Sequence, residues 1–298
     1  MSEPVLRPAS PADDEAIAAC IGASFPANPK ARLEVLRWQY RANPFGDTVG
    51  VVYEDDGCIV GHYSAFPMPY LLEGESIVGA NAVDAATAPS HAGRGLFTPM
   101  AARLYEACAA AGMPIAVCYA RNPVAMRGVA RAGVQWMPPL QVLARPRRPG
   151  RDTEVGAPPS HVDDLWRETV RRDGIRNGVE RGAAWWKWRY ADSPLGRYRY
   201  FATDDAAAVV LVRGRVGYVL ELLATDGRAA RAVLRGAPVL TTVAVPGGPL
   251  ARLARSAGMR AVAPWLLRRS AHYGLVATGG GALPGQPWHV GWGDMDHL

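Results

Sequence analysis

A chain of 298 residues can fill one large core or two ordinary ones, and with 49% apolar residues it is no disordered polymer. No apolar run reaches membrane-spanning length and the first residues lack a basic–apolar leader, so the expectation is a cytoplasmic protein with no membrane partner. The net charge of +6 is carried almost wholly by Arg, with Lys only at 30 and 187; the arginines are dispersed, as codon bias would give, rather than gathered into a polyanion face.

Residues 4–9 read as a first strand, and Ser10 or Asp13 caps a helix over 12–23. A second helix covers 31–41, with Leu33, Leu36 and Tyr40 near helical spacing. Strands at 49–53 and 58–65 flank the hairpin signal Glu54-Asp55-Asp56-Gly57. A third strand, 76–80, runs into the stretch that carries the chemistry. The four cysteines, Cys20, Cys58, Cys108 and Cys118, have no metal-ligand spacing and read as buried thiols in a reducing compartment; no metal is expected.

The central stretch, 83–133, reads as strand, glycine loop, helix, strand, helix. In the loop Ala92-Gly93-Arg94-Gly95-Leu96-Phe97-Thr98, the two glycines let the backbone turn tightly and expose N–H groups where a helix begins. The helix dipole adds to this, and the combination suits phosphate. The helix, 98–111, carries Leu104 and Cys108 and ends at Gly112; a strand over 115–119 and Asn122-Pro123 follow.

This arrangement resembles the GNAT superfamily of acyl-coenzyme A-dependent N-acyltransferases, over residues 5–137. The family loop is Arg/Gln-x-x-Gly-x-Gly/Ala. Here Gly95 is kept, while Ala92 and Phe97 replace the other two marked positions. Asn122, Ala125, Arg131 and Gly133 fit the family's Asn-x-x-Ala…Gly segment, and its frequent general-acid Tyr falls on Val129. The resemblance implies a donor, acetyl-CoA or another acyl-CoA, on Ala85, Ala86, Thr87, Gly93, Arg94, Gly95, Leu96, Phe97, Thr98 and Asn122. It also implies a thioester held where the strands 81–88 and 115–119 splay apart.

The run Arg145-Pro146-Arg147-Arg148-Pro149-Gly150-Arg151 reads as exposed linker, because core elements do not tolerate that density of Pro and charge. Beyond it the chain repeats: Trp38-x-Tyr40-x-x-Asn43-Pro44-Phe45-Gly46 returns at an offset of 150 as Trp188-x-Tyr190-x-x-Ser193-Pro194-Leu195-Gly196. The expectation is an α/β fold (α+β, mixed sheet) of two tandem GNAT-like domains: 1–140, a linker over 141–159, and 160–298. The second is degenerate. Its Thr225-Asp226-Gly227 has one glycine, and an Asp at the helix start satisfies the N–H groups itself and repels phosphate. Its expected work is to wall the acceptor pocket and pack against the first half. Trp185 and Trp186 cannot share one buried helix face, so one is expected at an interdomain cleft.

Acyl transfer needs a base for the amine, polarisation of the carbonyl and a proton for the thiolate. Asp84, an acid among Ala and Val, is the first choice as base; the resemblance puts His62 and Tyr63 near the pocket, where strand alternation turns one of them towards it, with His62 a catalytic candidate; Tyr119 is the acid that replaces the Tyr lost at 129. Tyr63, Asn81, Arg121 and the tail acids Asp294 and Asp296 are acceptor-binding candidates. The expected reaction is direct attack by a small-molecule amine, in small-molecule or natural-product metabolism, by a monomer or homodimer. Two alternatives remain: an aminoacyl-tRNA-dependent transferase of the Fem type, whose partner is charged tRNA, and a non-catalytic ligand-binding protein.

Overall fold

The computed structural model describes residues 4–120, 122–147, 152–196, 198–235, 237, 239–263, 271–283, 285 and 287–295. The chain divides into two compact units. The first comprises residues 1–68, 78–137 and 272–283; the second comprises 69–77, 138–271 and 284–298.

In the first unit, β1 (Val5–Pro8) leads through α1 (Asp14–Ser24) and α2 (Leu33–Arg41) to β2 (Val49–Asp55), β3 (Cys58–Leu72) and β4 (Glu75–Thr87). Then follow α3 (Phe97–Ala110), β5 (Ile115–Ala120), α4 (Pro123–Arg131) and β6 (Gln135–Trp136). The two strands expected at 76–80 and 81–88 are one strand, β4, and β3 runs seven residues beyond its expected end.

The second unit continues with β7 (Gln141–Arg145), β8 (Glu154–Val155), α5 (Val162–Asp173), β9 (Gly178–Val179) and α6 (Ala183–Trp186), which passes into a π-helical turn at 187–191. Then come β10 (Tyr198–Thr203), β11 (Ala206–Arg213), β12 (Val216–Ala224), α7 (Gly227–Val233), β13 (Val239–Ala244), α8 (Pro249–Ser256) and β14 (Arg260–Ala261). A last strand, β15 (His272–Ala277), returns to the first unit.

The first sheet runs β1-β2-β3-β4-β5-β15-β6, with β9 on the far end of β3; the second runs β8-β10-β11-β12-β13-β7-β14. Each therefore has five strands in chain order, then a strand from the other half of the chain, then its own short sixth. Where each sheet turns back lies a parallel pair, β4 with β5 and β12 with β13.

The 141–159 stretch is thus not all linker. Leu143 is fully buried and β7 is hydrogen-bonded between β13 and β14. Arg145 is buried in spite of its charge and donates to the Leu234 carbonyl. Prolines flank this strand rather than interrupt it, which is why composition misled.

Strand alternation gives the first sheet two packed faces. One face meets α1 and α2 through Ile17, Ile21, Leu36, Tyr40, Val52 and Ala86. The other meets α3 and α4 through Tyr63, Ala65, Met100, Leu104, Cys108 and Val129. Each large aliphatic side chain removed from water there contributes ~1.5–3 kcal/mol. Cys20, Cys108 and Cys118 are buried thiols as expected, whereas Cys58, at the start of β3, is exposed.

Candidate functional site

The glycine loop lies between β4 and α3. After a 3-10 turn at Pro89–His91, Gly93 and Gly95 take φ of 80° and 77°, left-handed values that strain any side chain. A Cβ at either glycine would meet nothing within 4 Å, so the space beside both glycines is open. His91 ties the loop to β2 through Asp55, 2.9 Å away. Helix α3 starts at Phe97 with no side-chain cap from Leu96, so the positive end of its dipole, at the end of the loop, is not filled by its own N-cap side chain. Arg94 is exposed on the loop. These features fit a phosphate group.

The other expected donor residues are placed around this loop. The side chains of Ala85 and Ala86 pack into opposite faces of the sheet, so only their backbone is available to a ligand. The Thr87 carbonyl accepts from Ser24 Oγ at 2.9 Å. Leu96 packs against the α3-side core. Phe97 does not point at the loop. It packs against Tyr63 with the rings tilted and their centroids 5.5 Å apart, and occupies the space a Cβ at Gly128 of α4 would need, 2.5 Å from its Cδ1. A large residue at this loop position is thus matched by a glycine on the neighbouring helix. Thr98 Oγ1 reaches the Gly128 carbonyl at 3.5 Å. Asn122 is the N-cap of α4, its Oδ1 accepting from the Val124 N–H at 3.0 Å, and Val129 is core. Arg121 and Asp296 lie outside the described residues.

Near the loop, β4 parts from β5. It pairs in parallel with β5 only over Ala80, Ala82 and the residue between, whose partners are Ala116, Cys118 and Val117. Asp84, two residues on, takes φ 61°. The phase of the strand changes there. Ala80 and Ala82 pack on the α3 side, but so does Ala85, while Ala86 packs on the α1 side. Alternation therefore puts Asn81 and Asp84 on the same, α1–α2 face.

On that face is a buried polar cluster. Lys30 Nζ is 2.6 Å from Asp84 Oδ2, and the Tyr40 hydroxyl donates to the same oxygen at 2.8 Å. Tyr40 also meets His62 Nε2 at 3.1 Å and Ser64 Oγ at 2.6 Å. The Lys30 and Asp84 side chains are 2% and 0% exposed. Burial pushes the His62 imidazole down to about 4, with Asp84 opposing. This speaks against Asp84 and His62 as proton acceptors. A base here would have to release a sealed ion pair, or charge an imidazole held neutral. Tyr63, on the other face of β3, is corrected as an acceptor contact: it is packed by Phe97 and Tyr105, and its phenol is raised above the ordinary value by burial. Tyr119, half-buried near the end of β5 opposite Tyr273, keeps an open role.

Among the described residues, the second unit has no such loop at the start of α7. Asp226 caps α7, accepting from the Ala229 N–H at 2.7 Å, and a Cβ at Gly227 would lie 2.4 Å from Ser256 Oγ. Asp294 is corrected as a ligand for an acceptor ammonium. Both its oxygens receive Arg181 Nη2, at 2.7 and 2.8 Å, and its side chain is 0% exposed. Trp185 and Trp186 are both buried: one donates to Glu221 at 3.1 Å, the other packs edge-on to Tyr190. Sequence reasoning missed Lys30, Tyr40 and Ser64. Lys30 is one of only two lysines, and Tyr40 belongs to the repeated motif; neither signal says what the side chain touches.

Residues 5–130 match the family model described as an acetyltransferase (GNAT) domain. The matched segment is less than half of the chain, and it is this segment that is similar to a GNAT domain. Solved structures extend the likeness in fold to nearly the whole chain. A GCN5-related N-acetyltransferase from Kribbella flavida aligns with TM-score 0.65 at 17% identity, over 91% of this chain and 71% of its own. One from Anabaena variabilis aligns with TM-score 0.64 at 13% identity, over 92% and 73%. One from Sphaerobacter thermophilus aligns with TM-score 0.55 at 18% identity, over 92% and 96%. No curated protein matches the sequence.

Proposed function

We propose that this protein is an N-acyltransferase that moves an acetyl or other acyl group from coenzyme A to the amine of a small molecule by direct attack. The observation that carries the reading is the pairing of an open Gly93–Gly95 loop with an α3 N-terminus that its own N-cap side chain does not fill. Such a site binds a diphosphate through backbone N–H groups. The contrast with α7, whose N-terminus is filled by Asp226, supports one donor site per chain, in the first unit. Arg94 adds charge at the loop, and Asn122 supplies an amide at the head of α4.

The parting of β4 from β5 leaves backbone beyond Ala82 that is not paired with β5, which suits polarisation of a thioester carbonyl. Tyr119, near the end of β5, is the residue we assign to return a proton to the leaving thiolate. Attack is direct because the cysteines near this face are core residues whose thiols burial raises to about 12, too high for nucleophiles.

Titration calorimetry with coenzyme A tests the reading. The wild type is expected to bind, and Gly95→Val, which forces a side chain into the left-handed loop, to bind about ten-fold or more weakly. No heat at millimolar coenzyme A would overturn it. Binding instead of aminoacyl-tRNA, weakening steeply with salt, would favour the tRNA-dependent alternative.

A further inference from the structure

We propose that Lys30 is a positioning residue. Its buried ion pair with Asp84 holds residue 84 in the left-handed conformation that opens the β4–β5 pair and sets the backbone beside the donor; this last step rests on the function proposed above. Three observations carry the inference.

The first is backbone geometry. Among the described residues, three non-glycine residues have positive φ: Asp56, Glu73 and Asp84. Asp56 and Glu73 sit in two-residue turns, each followed by a glycine. Asp84 alone lies inside a strand, where the conformation is unfavourable for any residue with a Cβ. Something must hold it, and its carboxylate is the one handle beyond the backbone.

The second is the construction of the handle. Lys30 comes from the 3-10 turn Pro29–Ala31, whose start is fixed by Asn28 Oδ1 accepting the Lys30 N–H at 3.0 Å. Tyr40, from α2, takes the same Asp84 oxygen. Two elements outside the sheet thus grip the point where the strand changes phase.

The third is that the second sheet repeats the device with different residues. There the Tyr190 hydroxyl donates to Glu221 Oε1 at 2.6 Å, and Arg181 Nε is 2.8 Å from Glu221 Oε2. Tyr190 is the repeat partner of Tyr40, and Arg181 stands 151 residues after Lys30. Glu221 lies on β12, the strand equivalent to β4. The β12–β13 pairing ends at Tyr218, and the β11–β12 register slips at the residue before Glu221. A unit whose helix N-terminus is filled by its own Asp226 has kept the cation–carboxylate–tyrosine lock. Glu221 is not left-handed, so what the two sheets share is a buried cation–carboxylate–tyrosine grip on the strand where its parallel pairing stops.

The test compares proteins that differ in what residue 84 tolerates. Lys30→Met alone takes the cation away from a buried carboxylate. Its coenzyme A affinity is expected to fall about ten-fold, with faster amide exchange across 83–87 and wild-type exchange in β1 and β2. Adding Asp84→Gly, which adopts positive φ freely, is expected to restore affinity to within about three-fold and to restore the exchange pattern. Adding Asp84→Val instead, which cannot adopt that conformation, is expected to restore neither; if that chain does not fold, Asp84→Ala takes its place. Gly and Val double variants that behave alike, both restored or both impaired, would overturn the proposal. Should the wild type itself bind no coenzyme A, the function fails on that count, and amide exchange alone decides the role of Lys30.

Discussion

Tyr40 shows how one side chain limits the hydrogen bonds around it. Its single proton goes to Asp84, so towards Ser64 and His62 its oxygen can act only as an acceptor. His62 is neutral in the fold because burial holds it near 4, whereas unfolded it titrates at ~6.5. The unfolded chain then binds more protons between those values, so His62 lowers stability as pH falls from about 6.5 to 4, by up to roughly 3 kcal/mol. Stability measured over that range is expected to flatten in His62→Gln, which keeps a donor to Tyr40 but does not titrate. An unchanged slope would place the acid sensitivity elsewhere. At this scale the sequence supplied residue types only. Asp84 stood out as an acid among apolar neighbours, but its partner Lys30 lies 54 positions away, and no local pattern links them.

Among the elements, α3 and its loop were legible because their chemistry is local: two glycines, a following helix and a cap position without an acid. Phe97 was not. It departs from the family's small residue at that position, and its compensation, Gly128, is on another helix 31 residues on. A methyl at 128 would meet the Phe97 ring at 2.5 Å. Gly128→Ala is therefore expected to cost ~1–3 kcal/mol by overpacking, even though Ala favours the helix, and Phe97→Leu in the same chain to recover most of it. Denaturant midpoints of the single and double variants measure this; additive losses would mean the two side chains do not compete. Strand β4 was similarly half-read. Its residues were recognised as strand, but a change of phase at residue 84 leaves the apolar pattern almost unmarked where the neighbours are Ala and Val.

For the molecule as a whole, the chain does not divide where its repeat suggests. Sheet one takes β15 from residues 272–277, and sheet two takes β7 from residues 141–145. A chain cut after residue 140 keeps every residue of the expected first domain but lacks the strand between β5 and β6. It is expected to be unfolded or aggregated, because β5 and β6 expose unpaired edges. Joining residues 271–283 back through a flexible linker is expected to restore folding, read by circular dichroism and amide exchange. A stable 1–140 chain would refute this. The sequence by itself determined the mixed α/β class, the repeated motif, the glycine loop at the head of a helix and the loss of that loop in the second half, because each is written in residues close together. Only the tertiary structure decided that Asp84 is paired with Lys30, that Asp294 is tied to Arg181, and which strand completes which sheet. These depend on which distant side chains meet out of water, where an unpaired charge or strand edge costs too much to remain, and spacing along a chain does not record such meetings.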